Sequence, residues 1–529
     1  MSTKRKSEAF QAASNHWAKK QKTKDAIDEV SNNEPIVQEP AAKETKSSFP
    51  SPIKLLYNPS YPENQLQNVN QDTVRIHDLI GSNSLEETYQ FNFNVDLPFF
   101  LTFLDHSFIT KKKKIVFITG GRLLDPEYEE TESIKSNYNI HEVVASIPNR
   151  FGTHHTKMMI NFFDDSTVEV VIMSANITKL DFGGLTQMVW RSGRLAKGET
   201  KGSKSIRFKS DLLSYLRKYK KSRIDDLAQR LSEFNFSGIE VDLVASAPGT
   251  YNLEDNDQHY GYGNLRDVLK LNNLLLDNTS EEKHYNILAQ VSAISYPFST
   301  EKWSTAGIFT HLLCPLIFSK NHFKLLPPGK DSIKSHQTKH NYTPSIVYPT
   351  VDEVAQSNVG YLAGQAIHFN YTKSFVHKNY FNQAIKPFIK KWNSSGSRLT
   401  TGREKVVPHV KLYMCDNGDD WKTLKWCYMG SHNLSKQAWG SRKGNAFVND
   451  SPNQYEVSSY ELGVLVTPRE NTLLKPVYLK DSNDEEDTTY VRMPFALPPT
   501  KYSSNDLPWS VHVDYGEKKD INGRTYNLD

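Results

Sequence analysis

FGTHHTKMM, residues 151–159, places two adjacent histidines and a lysine just ahead of an apolar run. Alone it is a weak signal, because a histidine two residues from a lysine is more often a surface pair than a site. A second copy changes its weight. Pro408-His409-Val410-Lys411 repeats the spacing, again before apolar residues. Each copy is followed by a second strand-like run, Val168–Met173 in one case and Leu424–Met429 in the other. Each of those runs ends in nearly the same turn, Ser174-Ala175-Asn176-Ile177-Thr178-Lys179 and Ser431-His432-Asn433-Leu434-Ser435-Lys436. A third run then carries one polar residue, Gln187 within Leu185–Trp190 and Glu461 within Tyr460–Val464. H-x-K, S-x-N-[IL]-[TS]-K and then Gln or Glu therefore occur twice in the same order.

Residues two apart on an extended chain point to one face. His155 thus projects with Lys157, and His409 with Lys411, while His154 points away. An asparagine at the end of a neighbouring strand, Asn176 or Asn433, can reach the same point. Two such halves facing each other collect two imidazoles, two ammonium groups and two amides. Ammonium and amide donors suit the non-bridging oxygens of a phosphodiester. Two imidazoles allow one to attack while the other handles a proton. The sequence offers no carboxylate cluster for magnesium, so metal-independent chemistry with no cofactor is expected.

The bulk composition agrees with a large folded enzyme. A chain of 529 residues exceeds what one core usually holds, and 11% aromatics make a substantial core credible. The net charge of +4 is too small to imply a nucleic-acid partner by itself. Cys314, Cys415 and Cys427 lack metal-ligand spacing, which points to a reducing compartment. No apolar run is long enough to span a bilayer, and no signal-peptide core stands at the start, so a soluble intracellular protein is expected.

Residues 1–52 read as a disordered tail. Lys4-Arg5-Lys6 and Lys19-Lys20-Gln21-Lys22 within it have the form of a bipartite nuclear import signal, or simply of a solvated basic tail. Residues 53–246 and 247–529 are expected to form two domains, with the switch at the turn Ser246-Ala247-Pro248-Gly249. Ile115–Thr119 reads as a buried strand closed by Gly120-Gly121. Phe208–Leu231 reads as an amphipathic helix, with Arg217, Lys218, Lys220 and Lys221 largely off its apolar face. Gly193–Ser205 reads as a mobile basic loop, and Asp481–Asp487 as an acidic one. Strands interleaved with helices indicate an α/β class.

From about Leu56 onward the chain resembles the phospholipase D superfamily and, within it, the tyrosyl-DNA phosphodiesterase family. The resemblance rests on Phe151–Met159, Ser174-Ala175-Asn176, Pro408–Lys411, Ser431–Gly440 and Ser459–Leu465, with further similarity at Gln290-Val291-Ser292 and Tyr348-Pro349-Thr350. It implies two similar α-β-α sandwich domains related by a pseudo-twofold axis, with the active site between them. It implies that His155 attacks the phosphorus at a DNA 3′ end to form a phosphohistidine. His409 would protonate the leaving tyrosine oxygen and then take a proton from water, leaving a 3′ phosphate. Lys157, Lys411, Asn176 and Asn433 would hold phosphoryl oxygens. Glu461 would accept a hydrogen bond from His155 across the halves, and Gln187 one from His409. Phe151, which on its own could equally be a core residue, would by the resemblance stack on a base of single-stranded DNA; Ser292, Ser435 and Lys436 are candidate phosphate contacts, since hydroxyls and lysine commonly serve there. The implied partners are DNA with 3′ adducts and a topoisomerase I-derived peptide as leaving group, for a nuclear monomer with a mitochondrial pool left open.

Most superfamily members carry an aspartate five residues past the lysine. Phe162 stands there in the first half; Asp416 stands there in the second and reads as a loop residue without a catalytic role. His154 and His432 are expected to be structural and Trp439 to be core, while Trp509 is a candidate for the peptide side of the cleft. A general nuclease, a phospholipase or a non-catalytic DNA-binding scaffold are the alternatives. The nuclear-type tail, and Gln and Glu on later strands, favour repair.

Overall fold

The computed structural model describes residues 51–125, 129–276, 283–295, 341–393, 399–442, 454–479 and 487–528. The basic tail to residue 50 and nearly all of the acidic segment lie outside these. The first half contributes β1 (Ile53–Leu55), β2 (Leu85–Phe91), β3 (Lys114–Thr119), β4 (Asn139–Val144), β5 (Met158–Phe163), β6 (Val168–Met173) and β7 (Met188–Arg191). Helix α1 (Lys179–Gly183) lies between the last two, and α2 (Ser203–Arg217) and α3 (Ser222–Leu231) follow. Strands then resume with β8 (Val241–Ser246), β9 (Gly249–Asn252), β10 (Tyr285–Gln290), β11 (Tyr342–Val347) and β12 (Ile389–Lys390). After these come β13 (Lys411–Asp416), β14 (Leu424–Gly430), α4 (Lys436–Trp439), β15 (Ser441–Arg442), β16 (Gln454–Val457) and β17 (Glu461–Val466).

The repeat seen in the sequence is a repeat of topology. The first sheet runs β4-β3-β2-β5-β6-β7-β1, and the second runs β12-β11-β10-β13-β14-β17-β8. Position by position the sense agrees as well. Along these two orders the three strands on one side are parallel, and every later pairing is antiparallel. Strands β5 and β13, which follow the two H-x-K motifs, occupy the equivalent central place. Both sheets belong to one compact unit, Ser47–Asp529.

Strand alternation explains how the sheets pack. Met158, Ile160 and Phe162 of β5 share a core with Leu412 and Met414 of β13, Cys427 and Met429 of β14, and Leu462 and Val464 of β17. The alternate residues face outward into separate cores, Met159 and Phe163 into one and Tyr413 and Cys415 into the other. Strand β6 lies against β14 and β17. The shared core also takes in Phe208, Leu212 and Leu216 of α2 and Ile224 and Leu227 of α3.

Some local expectations change. Phe208–Leu231 is two helices with a break at 218–221, where Lys220 has φ of 51°. Gly193–Ser205 is tied down rather than free: Leu195 bridges Val168, Lys197 bridges Phe234, and α2 begins at Ser203. Strand β8 pairs with β17, so by strand pairing the second half takes in Val241–Ser246, ahead of the expected switch. A turn signal marks where a strand ends, not which sheet it joins.

Candidate active site

Backbone hydrogen bonds link the halves where the motifs meet. The His155 amide donates to Tyr460 O (2.9 Å), and the Tyr460 amide donates to Thr153 O (2.9 Å). The His409 amide donates to Thr186 O (3.0 Å), and the Thr186 amide donates to Val407 O (2.9 Å). Tyr460 precedes Glu461 and Thr186 precedes Gln187. Each histidine is thereby registered against the polar residue of the opposite half. The register needs close approach: a Cβ on Gly152 would lie 2.0 Å from Ser458 O, so only glycine fits there.

His155 Nδ1 meets Glu461 Oε2 at 2.7 Å, as the resemblance implied. Ser431 Oγ donates to the same carboxylate oxygen (2.5 Å). In the other half Ser174 Oγ donates to Gln187 Oε1 (2.6 Å). The serine of each S-x-N motif therefore holds the Glu or Gln, a role that the repeat marked but did not explain.

Gln187 departs from the expectation that it accepts from His409. Its oxygen is taken by Ser174, so it turns its Nε2 toward His409 Nδ1 (3.0 Å). The acceptor is Asp181, whose Oδ1 lies 2.8 Å from His409 Nδ1. Gln187 Nε2 (2.7 Å) and the Asn176 amide (2.9 Å) donate to that same oxygen, and Thr178 Oγ1 donates to Oδ2 (2.8 Å). Asp181 sits on α1, and its own amide donates to Thr178, the N-cap. Ala438 holds the corresponding place on α4, capped by Ser435. The two imidazoles thus each have a carboxylate, drawn from non-equivalent positions.

Lys157 and Lys411 are fully buried and donate to the carbonyls of His155 and His409. Burial, opposed by Glu461 and Asp181, brings Lys157 down to about 8. Burial and then Lys157 push Lys411 well below its ordinary value. Burial, followed by the two lysines, holds His155 well below 6.5, which favours the neutral ring. Burial and Lys411 lower His409 to about 4, against the pull of Asp181. Two cations crowded into a buried space call for an anion.

Asn433 Oδ1 accepts from Ser292 N (3.2 Å), Ser292 Oγ (3.2 Å) and Ala293 N (2.9 Å), so its NH2 is the end left to donate. Ser292 is therefore the residue that aims Asn433. Ser435 caps α4, and Lys436 is half-buried beside it. Asn176 Nδ2 reaches Asp181 Oδ2 only at 3.5 Å, and its buried Oδ1 has no partner.

Phe151 is 60% exposed, with the Arg150 guanidinium 4.4 Å from its ring centre, so it is not a core residue. Phe93, which the sequence did not single out, meets the His155 ring edge-on at 5.3 Å and stands at the rim, 37% exposed. Trp509 is fully buried, stacked on Tyr361 and Tyr515, and its indole donates to Gly364 O (2.8 Å); it lines no cleft. Trp439 is core. His154 is satisfied by Asn92 O (3.0 Å) and Tyr219 Oη (2.9 Å), and His432 by Ser246 Oγ (2.8 Å) and Tyr428 Oη. Asp416 is buried at the far end of β13 and accepts from Asn286, Gly418 and Trp421. It is a strand-end anchor for the following turn, away from Lys411.

The known proteins to which this chain is similar include tyrosyl-DNA phosphodiesterases. The family model described as Tyrosyl-DNA phosphodiesterase matches residues 52–503. A "Probable tyrosyl-DNA phosphodiesterase" of Schizosaccharomyces pombe is 25% identical, covering 88% of this chain and 94% of its own. "Tyrosyl-DNA phosphodiesterase 1" of Saccharomyces cerevisiae is 25% identical over 85% of this chain and 82% of its own. The crystal structure of the yeast tyrosyl-DNA phosphodiesterase has the same fold, with a TM-score of 0.66 at 24% identity over 87% of this chain and 99% of that one.

Proposed function

We propose that this chain, which belongs to the tyrosyl-DNA phosphodiesterase family, is a DNA repair phosphodiesterase that removes tyrosyl peptides and other blocking adducts from DNA 3′ ends. A topoisomerase I-derived peptide is the leaving group that the family resemblance implies. The observation that carries this reading is the crossed pairing: Glu461 of one half holds His155 of the other, and Asp181, itself held by Gln187, holds His409. Each Nδ1 is occupied, which leaves each Nε2 for chemistry.

His155 Nε2 attacks the phosphorus. The bond from phosphorus to the tyrosine oxygen breaks, and His409 Nε2 delivers a proton to that oxygen. His409 then takes a proton from water. The resulting hydroxide attacks phosphorus, the P–N bond breaks, and a DNA 3′ phosphate leaves. Lys157, Lys411 and Asn433 hold the non-bridging oxygens, with Asn176 beside them. The bound phosphodiester adds its negative charge to that of Asp181, and together they raise His409 into the range where it is protonated. Phe151 stacks on a base, worth about 1–3 kcal/mol. One chain supplies the whole site, so the enzyme acts as a monomer, and the basic tail directs it to the nucleus. A panel of 3′-tyrosyl oligonucleotide, plain oligonucleotide and phosphatidylcholine, run with a chelator, tests the reading. Cleavage of lipid alone, or loss of all activity on chelation, would overturn it.

Asp181→Asn is expected to lower kcat about 10–100-fold on a tyrosyl ester, because the amide no longer stabilises the His409 imidazolium. A nitrophenyl ester, whose leaving group needs no proton, should lose far less. An equal loss on both substrates would make Asp181 merely structural.

The lysines set the alkaline limit. With the nitrophenyl ester, which needs no proton from His409, an ammonium is present below its pKa and lost above it, so kcat/KM should fall as pH rises through about 8, where Lys157 titrates. The substrate phosphate raises the lysine in the complex, so the same limb in kcat should lie at higher pH. A kcat/KM profile flat to about pH 10, the range of an ordinary lysine, would contradict the assignment.

A further inference from the structure

Arg217, Lys218, Lys220, Lys221 and Arg223 surround the break between α2 and α3 and take no part in the chemistry above. The first three are exposed and the last two half-exposed. Other cations of this half meet carboxylates: Lys114 and Arg230 share Glu87, and Arg191 holds Glu169. Among the described residues none of these five forms an ion pair. Asp257 draws on Lys218 from a distance while Lys220 repels it, and Asp225 and Asp226 stand exposed on the next turn of α3. The fold does not ask for lysine at the break, since Lys220 holds a φ of 51° that glycine or asparagine adopts more easily.

The run is joined directly to the site. Tyr219, in its middle, stacks on Tyr460 at 4.4 Å and bonds His154 Nε2, while Tyr460 Oη donates to Lys218 O (3.1 Å). Tyr460 precedes Glu461 and His154 precedes His155. The Lys218 ammonium lies 4.9 Å from the Tyr260 ring and 5.5 Å from Tyr251, which pairs with Tyr455 of β16. Strand β16 leads to Ser458, whose carbonyl abuts Gly152 next to Arg150 and Phe151. Lys218 and Phe151 thus border the same strand pair.

We propose that this run binds the phosphate backbone of the DNA strand beyond the nucleotides at the 3′ end, so that long strands are preferred over short ones. The inference rests on DNA being the substrate. A spaced set of unpaired cations fits a polyanion, and each phosphate contact releases counterions. The test is fluorescence anisotropy on the full chain with 3′-hydroxyl single strands of about 20 and about 4 nucleotides. Combining Arg217→Gln, Lys220→Gln, Lys221→Gln and Arg223→Gln should reduce the slope of log K against log[salt] by about 3 for the long strand. Its loss of affinity between about 50 and 200 mM salt should shrink roughly 50-fold, with binding of the short strand unchanged. Lys220→Gly should fold at least as stably as the parent yet bind the long strand more weakly. A parental salt slope in the combined variant, or unchanged long-strand binding in Lys220→Gly, would overturn the proposal. So would weaker binding of polyglutamate with DNA affinity intact, which would assign the run to an acidic protein. Plain oligonucleotides report on this run even if tyrosyl esters are not cleaved, so the two readings fail separately.

Discussion

Replacing His155 with alanine is expected to reduce kcat/KM on a 3′-phosphotyrosyl oligonucleotide on the order of 10⁵-fold, as loss of a nucleophile does elsewhere. No neighbour can take over. His154 is adjacent in sequence, but both its nitrogens are bonded and its ring is buried against Tyr219 and Tyr460. Both nitrogens of His432 are likewise engaged. Affinity for a 3′-phosphate strand should stay within about tenfold of the parent, because the lysines and Asn433 remain. Glu461 keeps its bond from Ser431, so the fold should lose only about 1–3 kcal/mol for the unpaired acceptor. Residual turnover well above this level would mean that the attacking group lies elsewhere.

His409→Asn is expected to separate the two steps. His155 and Glu461 are untouched, so attack can proceed. Tyrosine, with a pKa of about 10, is a tolerable leaving group without full protonation. Hydrolysis has no such relief, because water must lose a proton to a base that is gone. Slowing of about 10²–10⁴-fold should fall mainly on the second step. A covalent enzyme–DNA species should therefore build up toward stoichiometry on a denaturing gel. Absence of any adduct during slow turnover would contradict the role given to His409.

The repeat was the most legible part of the molecule. Two H-x-K motifs, two S-x-N turns and a later Gln or Glu are local patterns, and the order of strands in the two sheets repeats along with them. Strand parity also separated His155 from His154. What escaped reading has no local mark. Asp181 belongs to the site through the fold of α1, and its counterpart Ala438 removes it from the repeat. The resemblance put Gln187 in the acceptor's place, but an amide has two ends, and Ser174 decides which one faces His409. Phe93 gains its position only because β2 lies next to β5. Trp509 near the end of the chain looked free to reach the cleft, yet Tyr361, Tyr515 and Tyr526 enclose it. The break within Phe208–Leu231 carries no glycine or proline, since Lys220 itself adopts the left-handed turn.

That two halves build one site with His155 as its nucleophile is tested most directly on the quenched reaction of the His409→Asn enzyme with a 3′-phosphotyrosyl oligonucleotide. After proteolysis at neutral or alkaline pH, mass spectrometry should find the nucleotide on the peptide spanning residues 151–159, bound through His155. Attachment to any other residue, or full turnover with no attached nucleotide, would contradict it.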